Sequence, residues 1–533
     1  MANLLERASV VLTPTAYNNG EALCIKPDDA SGDFDFSRNS AATRVNAQGL
    51  VENVQILSSN LVQNGNFSEE GVQEVSNGSF SQEGSELVTN GSFDTDSDWT
   101  KGTGWSISGG SANCDGTQVG VSDLTQTLST PSGKSYKITY TISEYTSGSI
   151  FVRLNSGNIT ASQSSVGTFT EYLSGGNGAQ INLRADADFI GSIDNVSVKE
   201  YITATNTPRL DYSTGAEAFL LEPQSTNLVT YSEDFSSGNW FEYNETSATI
   251  DASQSNPSGA NGSYKIESLS GLGRFGLSAI TVAPSTNYTL SFYVKNINAT
   301  LLKVILGSGA SPGSYTYTSE VNTSNWSRVS VNFTTGAVTS MQIQFIRDLP
   351  IGESAYIWGA QLEQQSYSTS YIPTSGTTVT RNQETCINAT PEINSEEGVL
   401  YAEIAALTKI NPSGNITLTD GTGNNRIYIY YLIDNSISVI YNVNSTGASI
   451  NNFSLANITD QTKIAVRWGN SNVSVWINGT SVLSNTTSNF LPNTLNVLSF
   501  DKPSGGGPFE GRTKDLQVYT KALSDAELIK LTT

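Results

Sequence analysis

Tyr136-Lys-Ile-Thr-Tyr-Thr-Ile142 alternates bulky apolar with polar residues, so Tyr136, Ile138, Tyr140 and Ile142 share one face of an extended chain. A period of two held over seven residues marks a half-buried β-strand. The pattern returns as Tyr288-Thr-Leu-Ser-Phe-Tyr-Val294, where Tyr288, Leu290, Phe292 and Val294 share a face. Both strands follow a Pro-Ser turn, Pro131-Ser132 and Pro284-Ser285. Upstream, Leu87-Val88-Thr89 with Phe93 and Trp99 recurs 141 residues later as Leu228-Val229-Thr230 with Phe235 and Trp240. The copies close with Ile193-Asp-Asn-Val-Ser-Val198 and Ile357-Trp-Gly-Ala-Gln-Leu362. A repeat this long is a duplicated domain and not a solenoid. Two β-modules are therefore predicted, over 87–200 and 228–372.

The flanks follow from these. Arg44-Val45-Asn46, Gly49 and Asn60-Leu61-Val62 are echoed by Arg209-Leu210-Asp211, Gly215 and Asn227-Leu228-Val229. This separates an N-terminal segment, 1–60, from a connector, 201–227. Asn64-Gly65-Asn66-Phe67 and Asn77-Gly78-Ser79-Phe80 precede Asn90-Gly91-Ser92-Phe93 at 13-residue spacing. They make 61–86 a stretch of short repeats, readable as ribbons or as an acidic surface loop. After a second connector, 373–390, the strands Gly398–Ile404, Arg426–Tyr430, Lys463–Trp468 and Val473–Ile477 follow. Their turns are Gly469-Asn470 and Asn478-Gly479, which predicts a further sandwich over 391–533. Ser524-Asp-Ala-Glu527 before Leu528, Ile529 and Leu531 is a capping box that opens a terminal helix. The N-terminal segment carries Val10-Val-Leu-Thr-Pro-Thr-Ala16 and Phe34–Glu52 but no full set of strands, so it is expected to bury its apolar surface on a partner.

The chain has 533 residues, enough for several cores, with 37% hydrophobic and 14% charged residues, a balance suited to short strands and turns. Its 49 acidic and 27 basic residues give a formal charge of −22, which disfavours nucleic acid and anionic membranes as partners. There is no histidine, which removes Ser-His-Asp and Cys-His nucleophile systems and histidine metal sites. Cys24, Cys114 and Cys386 lie too far apart for a disulfide framework or a zinc cluster and are read as inert thiols. Neither a secretion signal nor an apolar run of bilayer length is seen, so synthesis in the cytoplasm is expected, without membrane insertion.

Phe36-Ser-Arg-Asn-Ser-Ala-Ala-Thr-Arg-Val-Asn-Ala-Gln-Gly-Leu-Val-Glu52 resembles a peptide common in tail-fibre and other virion proteins of tailed phages. Ile357-Trp-Gly-Ala-Gln-Leu-Glu363, continuing to Ser370-Tyr-Ile-Pro-Thr374 and Thr380-Arg381, resembles another phage-protein pattern, found where a jelly roll hands over to the next domain. The two repeated modules resemble jelly-roll carbohydrate-binding modules. The region through Val473–Gly479 and Lys514–Leu528 is similar to laminin G-like, concanavalin A-like domains. These resemblances imply an all-β chain of tandem jelly-roll sandwiches followed by a laminin G-like sandwich. They also imply a structural, non-enzymatic protein of the virion surface, a fibre or decoration protein. It would attach to other virion proteins through 1–60 and bind host surface glycans, with a homotrimer left open. A glycan-cleaving depolymerase and a bacterial surface adhesin are the alternatives.

In the resembling modules an opening Asn-Gly-x-Phe-[Glu/Asp] and a closing Ile-Asp-[Asp/Asn]-Val contribute to a structural calcium site. Here Asn90–Asp94 and Ile193–Val196 match, so Asp94 and Asp194 are the calcium candidates of the first module. Read alone, Asp94-x-Asp96-x-Asp98 is a solvated turn. The second module has Ser236 and Trp358-Gly359 at the corresponding places. Sugars stack on aromatic rings, so the glycan candidates are Trp105 and Trp326, which stand in polar surroundings, and Tyr428 and Tyr430, with Tyr431 beside them. Trp99, Trp240, Trp468 and Trp476 are read as packing residues. Catalysis would need a carboxylate pair about a glycosidic bond, and no pair stands in a recognisable motif.

Overall fold

The alternation at Tyr136–Ile142 is realised as the strand Ser135–Ser147, with Tyr136, Ile138, Tyr140 and Ile142 all at most 1% exposed. In this computed structural model residues 4–12, 17–18, 20–54, 83–128, 135–154, 158–160, 162–174, 180–201, 205–243, 246–307, 309–410, 412, 414–445, 449–502 and 504–533 are described. The short repeats at 64–67 and 77–80 lie outside them. The described chain is almost wholly β and divides into two compact units, Gln55–Thr203 and Met1–Val54 with Ala204–Thr533.

Within Gln55–Thr203 two antiparallel sheets enclose one core. One sheet runs in the order Gly167–Ser174, Ser135–Ser147, Ile190–Tyr201, Ser111–Asp115, Trp105–Ser108, with Glu83–Glu86 also on Ile190–Tyr201. The other runs Asn158–Ile159, Ile150–Leu154, Gln180–Ala185, Ser122–Thr127, Thr100–Lys101. The opening segment is tied to the closing strand: Leu87 N donates to Val198 O, and Val196 N to Gly91 O, both at 2.9 Å. A Cβ at Gly91 would stand 2.0 Å from Val196 O, so only glycine fits this approach.

The second module repeats these bonds in the other unit. Leu228 N donates to Leu362 O and Ala360 N to Ser232 O, both at 2.9 Å. The matched tryptophans behave alike as well. Trp99 Nε1 donates to Asn90 O at 3.1 Å and Trp240 Nε1 to Tyr231 O at 2.9 Å. Each ring packs on its module's phenylalanine, Phe93 or Phe235. Packing thus accounts for both, as the matched spacing predicts.

The third sandwich draws on the whole length of its unit. Gly511–Tyr519 pairs along one edge with Gly398–Ala406. Along its other edge it takes Ala8–Leu12 and, further on, Ala218–Leu221. The facing sheet is ordered Ser449–Ser454, Ser436–Asn442, Arg426–Leu432, Asn415–Thr419, Val497–Ser499. Phe34 and Phe36, on a strand paired with Thr385–Ile387, enter the same core together with Val10 and Leu12. The expectation that 1–60 buries its apolar surface on a partner is corrected for Val10, Val11, Leu12, Phe34 and Phe36, which are buried within the chain, while Leu5 and Ile25 stand exposed. The helix Asp525–Thr532 starts where the capping box places it, with Ser524 N donating to the Glu527 carboxylate at 2.8 Å. It covers Trp476 and Tyr401 on the outer face of the larger sheet. A short turn, Leu4–Arg7, is the one other α-helix among the described residues.

Where the connectors meet, Arg38, Arg209 and Arg381 are no more than 1% exposed. Arg38 and Arg209 clasp Glu384, and Arg209 and Arg381 share Glu222. Burial raises a carboxyl's affinity for its proton. Here the guanidiniums outweigh it and hold both glutamates below the usual carboxylate range. Cys24, Cys114 and Cys386 are free, and burial pushes each thiol up, as inert thiols require.

Candidate glycan-binding face

Strand Arg426–Leu432 sends Ile427, Ile429 and Tyr431 into the core, so Arg426, Tyr428 and Tyr430 stand on the opposite face. Tyr431 is thereby removed from the candidate surface. Tyr428 and Tyr430 stack on each other, ring centroids 4.7 Å apart at 15°. Arg426 lies over the Tyr428 ring with its Cζ 5.7 Å from the centroid, a cation–π arrangement.

The neighbouring strands supply polar groups in register. Asn415 and Ser438 flank Tyr430, and Thr417 and Ile440 flank Tyr428. The Tyr428 hydroxyl donates to Asn415 Oδ1, and the Asn415 amide to Gly507 O, which fixes ring and amide together. Thr417 Oγ1 donates to Asp501 O. Burial pushes the Asp501 carboxyl up to about 6. The Tyr428 phenol is pushed up to about 12 by burial, with the neighbouring Tyr430 adding to it. The face therefore offers a half-buried ring, Tyr430, and the Arg426 guanidinium, resting on Tyr428, Asn415 and Thr417, which are buried beneath them. Tyr430 can stack under a pyranose and Arg426 can hydrogen-bond its hydroxyls. Arg426, Asn415, Thr417 and Asp501 were not singled out in the sequence. The period-two partners of Tyr428 on Arg426–Leu432 and Asn415–Thr419 carried that signal.

The tryptophan candidates fare differently. Trp105 is 7% exposed, lies in the core of its unit and donates its indole N–H to Ser122 O at 3.3 Å. It is not a platform, because Trp105 and Ile107 alternate inward on Trp105–Ser108. Trp326 is half-buried beside Val51, Trp358 and Tyr371, and donates to Ser255 O at 3.0 Å. It keeps some open surface but is not gathered with the tyrosines.

Asp94 lies exposed in a loop knotted by its own bonds. The Asn90 side-chain amide donates to Thr95 O at 2.6 Å and to Ser97 O at 3.0 Å, and Ser92 Oγ donates to Asp94 at 2.7 Å. Asp194 accepts from Asn195 N at 2.6 Å on the closing strand, two residues from the Val196–Gly91 bond. Among the described residues no group of three or more His, Cys, Asp and Glu side chains is placed to hold a metal. A cation at this end would draw on Asp94, Asp194 and the loop carbonyls, since calcium takes six to eight oxygens.

Residues 405–529 match a family described as the concanavalin A-like lectin/glucanases superfamily, Laminin_G_3. No curated protein matches the chain. Among solved structures, the CBM40 of the Ruminococcus gnavus IT-sialidase, bound to α2,3-sialyllactose, is 18% identical at a TM-score of 0.23, covering 26% of this chain and 83% of that one. Domain 4 of AbnA, a GH43 extracellular arabinanase from Geobacillus stearothermophilus in complex with arabinotriose, is 15% identical at 0.23, covering 28% and 73%. A heptameric SAP-like pentraxin from Limulus polyphemus is 16% identical at 0.22, covering 26% and 70%.

Proposed function

We propose that this chain is a non-enzymatic glycan-binding protein of a bacteriophage virion, and that the Tyr428–Tyr430 face is its sugar platform. The observation that carries the glycan half is the stacked tyrosine pair, framed by Arg426 and Asn415, on the outer face of a sheet in the concanavalin A-like region. The virion half is supported by the peptides at 36–52 and 357–381, which resemble phage virion proteins. In this reading Asp94 and Asp194, with carbonyls of the 90–98 loop, hold a structural calcium.

The test is a glycan array probed with the full chain, followed by titration of the best host glycan into wild type and Tyr430→Ala. The variant is expected to bind about tenfold more weakly, roughly 1.4 kcal/mol, at an unchanged melting temperature, because Tyr430 is only half-buried. Equal affinity in both proteins would move the site off this face. Release of reducing ends from the bound polysaccharide would replace the reading with that of a depolymerase. Antibody labelling of virions checks the location.

A further inference from the structure

A second site stands apart from the tyrosine face. Within the unit Met1–Val54 with Ala204–Thr533, a pocket of about 560 Å³ opens between the 43–51 peptide, the turn 211–215, the second jelly roll and Arg512. Its volume falls in the range of about 300–1,000 Å³ usual for small-molecule sites. Two carboxylates line it, and both are saturated. Asp211 accepts from Val45 N at 3.0 Å and Ser213 N at 3.1 Å. Glu222 accepts from Ser370 N and Oγ and pairs with Arg209 and Arg381.

The guanidiniums are less committed. Arg44 pairs with Glu52 at 2.9 Å. Arg328 lies over the Tyr293 ring at 5.6 Å and donates through Nη2 to Ser291 Oγ at 3.0 Å. Arg512 donates through Nη2 to Ser213 Oγ at 3.2 Å, with Asp211 Oδ2 3.9 Å from its Nε. The Nε of each of Arg328 and Arg512 is buried, that of Arg512 on the side of Asp211, so the Nη groups are what the two guanidiniums can present to the pocket. The chain has only 27 basic residues against 49 acidic ones, and Arg44, Arg328 and Arg512 all line this one pocket.

We propose that this pocket binds a sugar unit bearing a carboxylate, with the carboxylate taken by Arg328 and Arg512 and the ring set against Tyr293. A guanidinium presents a planar fork that fits a carboxylate, and an aromatic wall beside hydroxyls suits a pyranose better than a bare anion. The site goes beyond the tyrosine face and does not depend on it.

The experiment is saturation-transfer NMR on the full chain with D-glucuronate, D-galacturonate and N-acetylneuraminate. Glucose, galactose and inorganic phosphate are the comparison probes. Acid sugars are expected to bind, with at least tenfold weaker binding in Arg328→Gln, partial recovery in Arg328→Lys, and no change in Tyr430→Ala. Arg512→Gln is expected to match Arg328→Gln. Should it fail to fold, the Arg328 pair decides alone. The proposal is overturned by absence of acid-sugar binding, by phosphate or neutral sugars binding as well as the acid sugars, or by full binding in Arg328→Gln. Loss in Tyr430→Ala alone would assign the acid sugar to the tyrosine face instead.

Discussion

Glu384 receives Arg38 Nη1 at 2.9 Å and Arg209 Nε at 2.8 Å, and no water reaches its side chain. Replacing a buried ion by a neutral isostere leaves its partners uncompensated. Glu384→Gln is therefore expected to cost about 3–5 kcal/mol at pH 7. The pH dependence has a definite sign. Glu222 and Glu384 both have depressed proton affinities, so their contribution is present above the unfolded value of about 4.3 and is lost as pH falls below it. Urea denaturation from pH 7 to pH 3 should show the gap between wild type and Glu384→Gln closing on the acid side. A gap independent of pH would mean that the carboxylate charge is not what holds the cluster. Residue by residue, the sequence showed some of this and hid the rest. Arg38 and Arg381 were quoted as parts of two peptides, yet nothing local says that guanidiniums so far apart in sequence meet on shared glutamates. Trp105 misled for the opposite reason: its polar neighbours drew attention, while its alternation with Ile107 already pointed inward.

At the scale of elements, strand Ala8–Leu12 stabilises two faces at once. Val10 and Leu12 enter the core between the sheets, and Ala8 and Val11 pack under the terminal helix. Burying one Val or Leu side chain is worth about 1.5–3 kcal/mol. Deleting residues 1–12 should thus remove on the order of 5 kcal/mol, comparable with the whole stability of many domains. It would also bare the Leu516–Tyr519 part of the edge of Gly511–Tyr519, Ala218–Leu221 still covering 511–513. The truncated chain is expected to lose amide-exchange protection across 516–519 and to aggregate, and normal protection there would show the strand to be dispensable. Strands, turns and the capping box were legible because their signals are local: period two, Asn-Gly, and Ser with Glu three residues on. Asn478–Gly479 takes the left-handed conformation that such a sequence favours, and the turn expected at Gly469-Asn470 falls one residue later, at Asn470–Ser471. Pairing was not legible. An apolar strand isolated at the start of a chain reads the same whether it pairs with a distant strand of its own chain or docks on another protein.

At the scale of the whole molecule, Gln55–Thr203 is a continuous insertion in the sequence of the other unit. Gln55–Thr203 has a core of its own, apart from the two of the other unit, so calorimetry of the full chain is expected to resolve its transition from that of the rest. Millimolar calcium should raise only the one belonging to Gln55–Thr203, and Asp194→Ala should abolish that shift. A shift in both transitions, or in neither, would sink the calcium assignment. The edge shared by Ala8–Leu12 and Gly511–Tyr519 also bears on biosynthesis. The two strands are separated by about 500 residues. At roughly 5–20 residues per second the ribosome needs on the order of 25–100 s between them. Through that interval the inserted unit can fold as it emerges, while Val10, Val11 and Leu12 wait without their sheet, open to chaperones until the last strand leaves the exit tunnel.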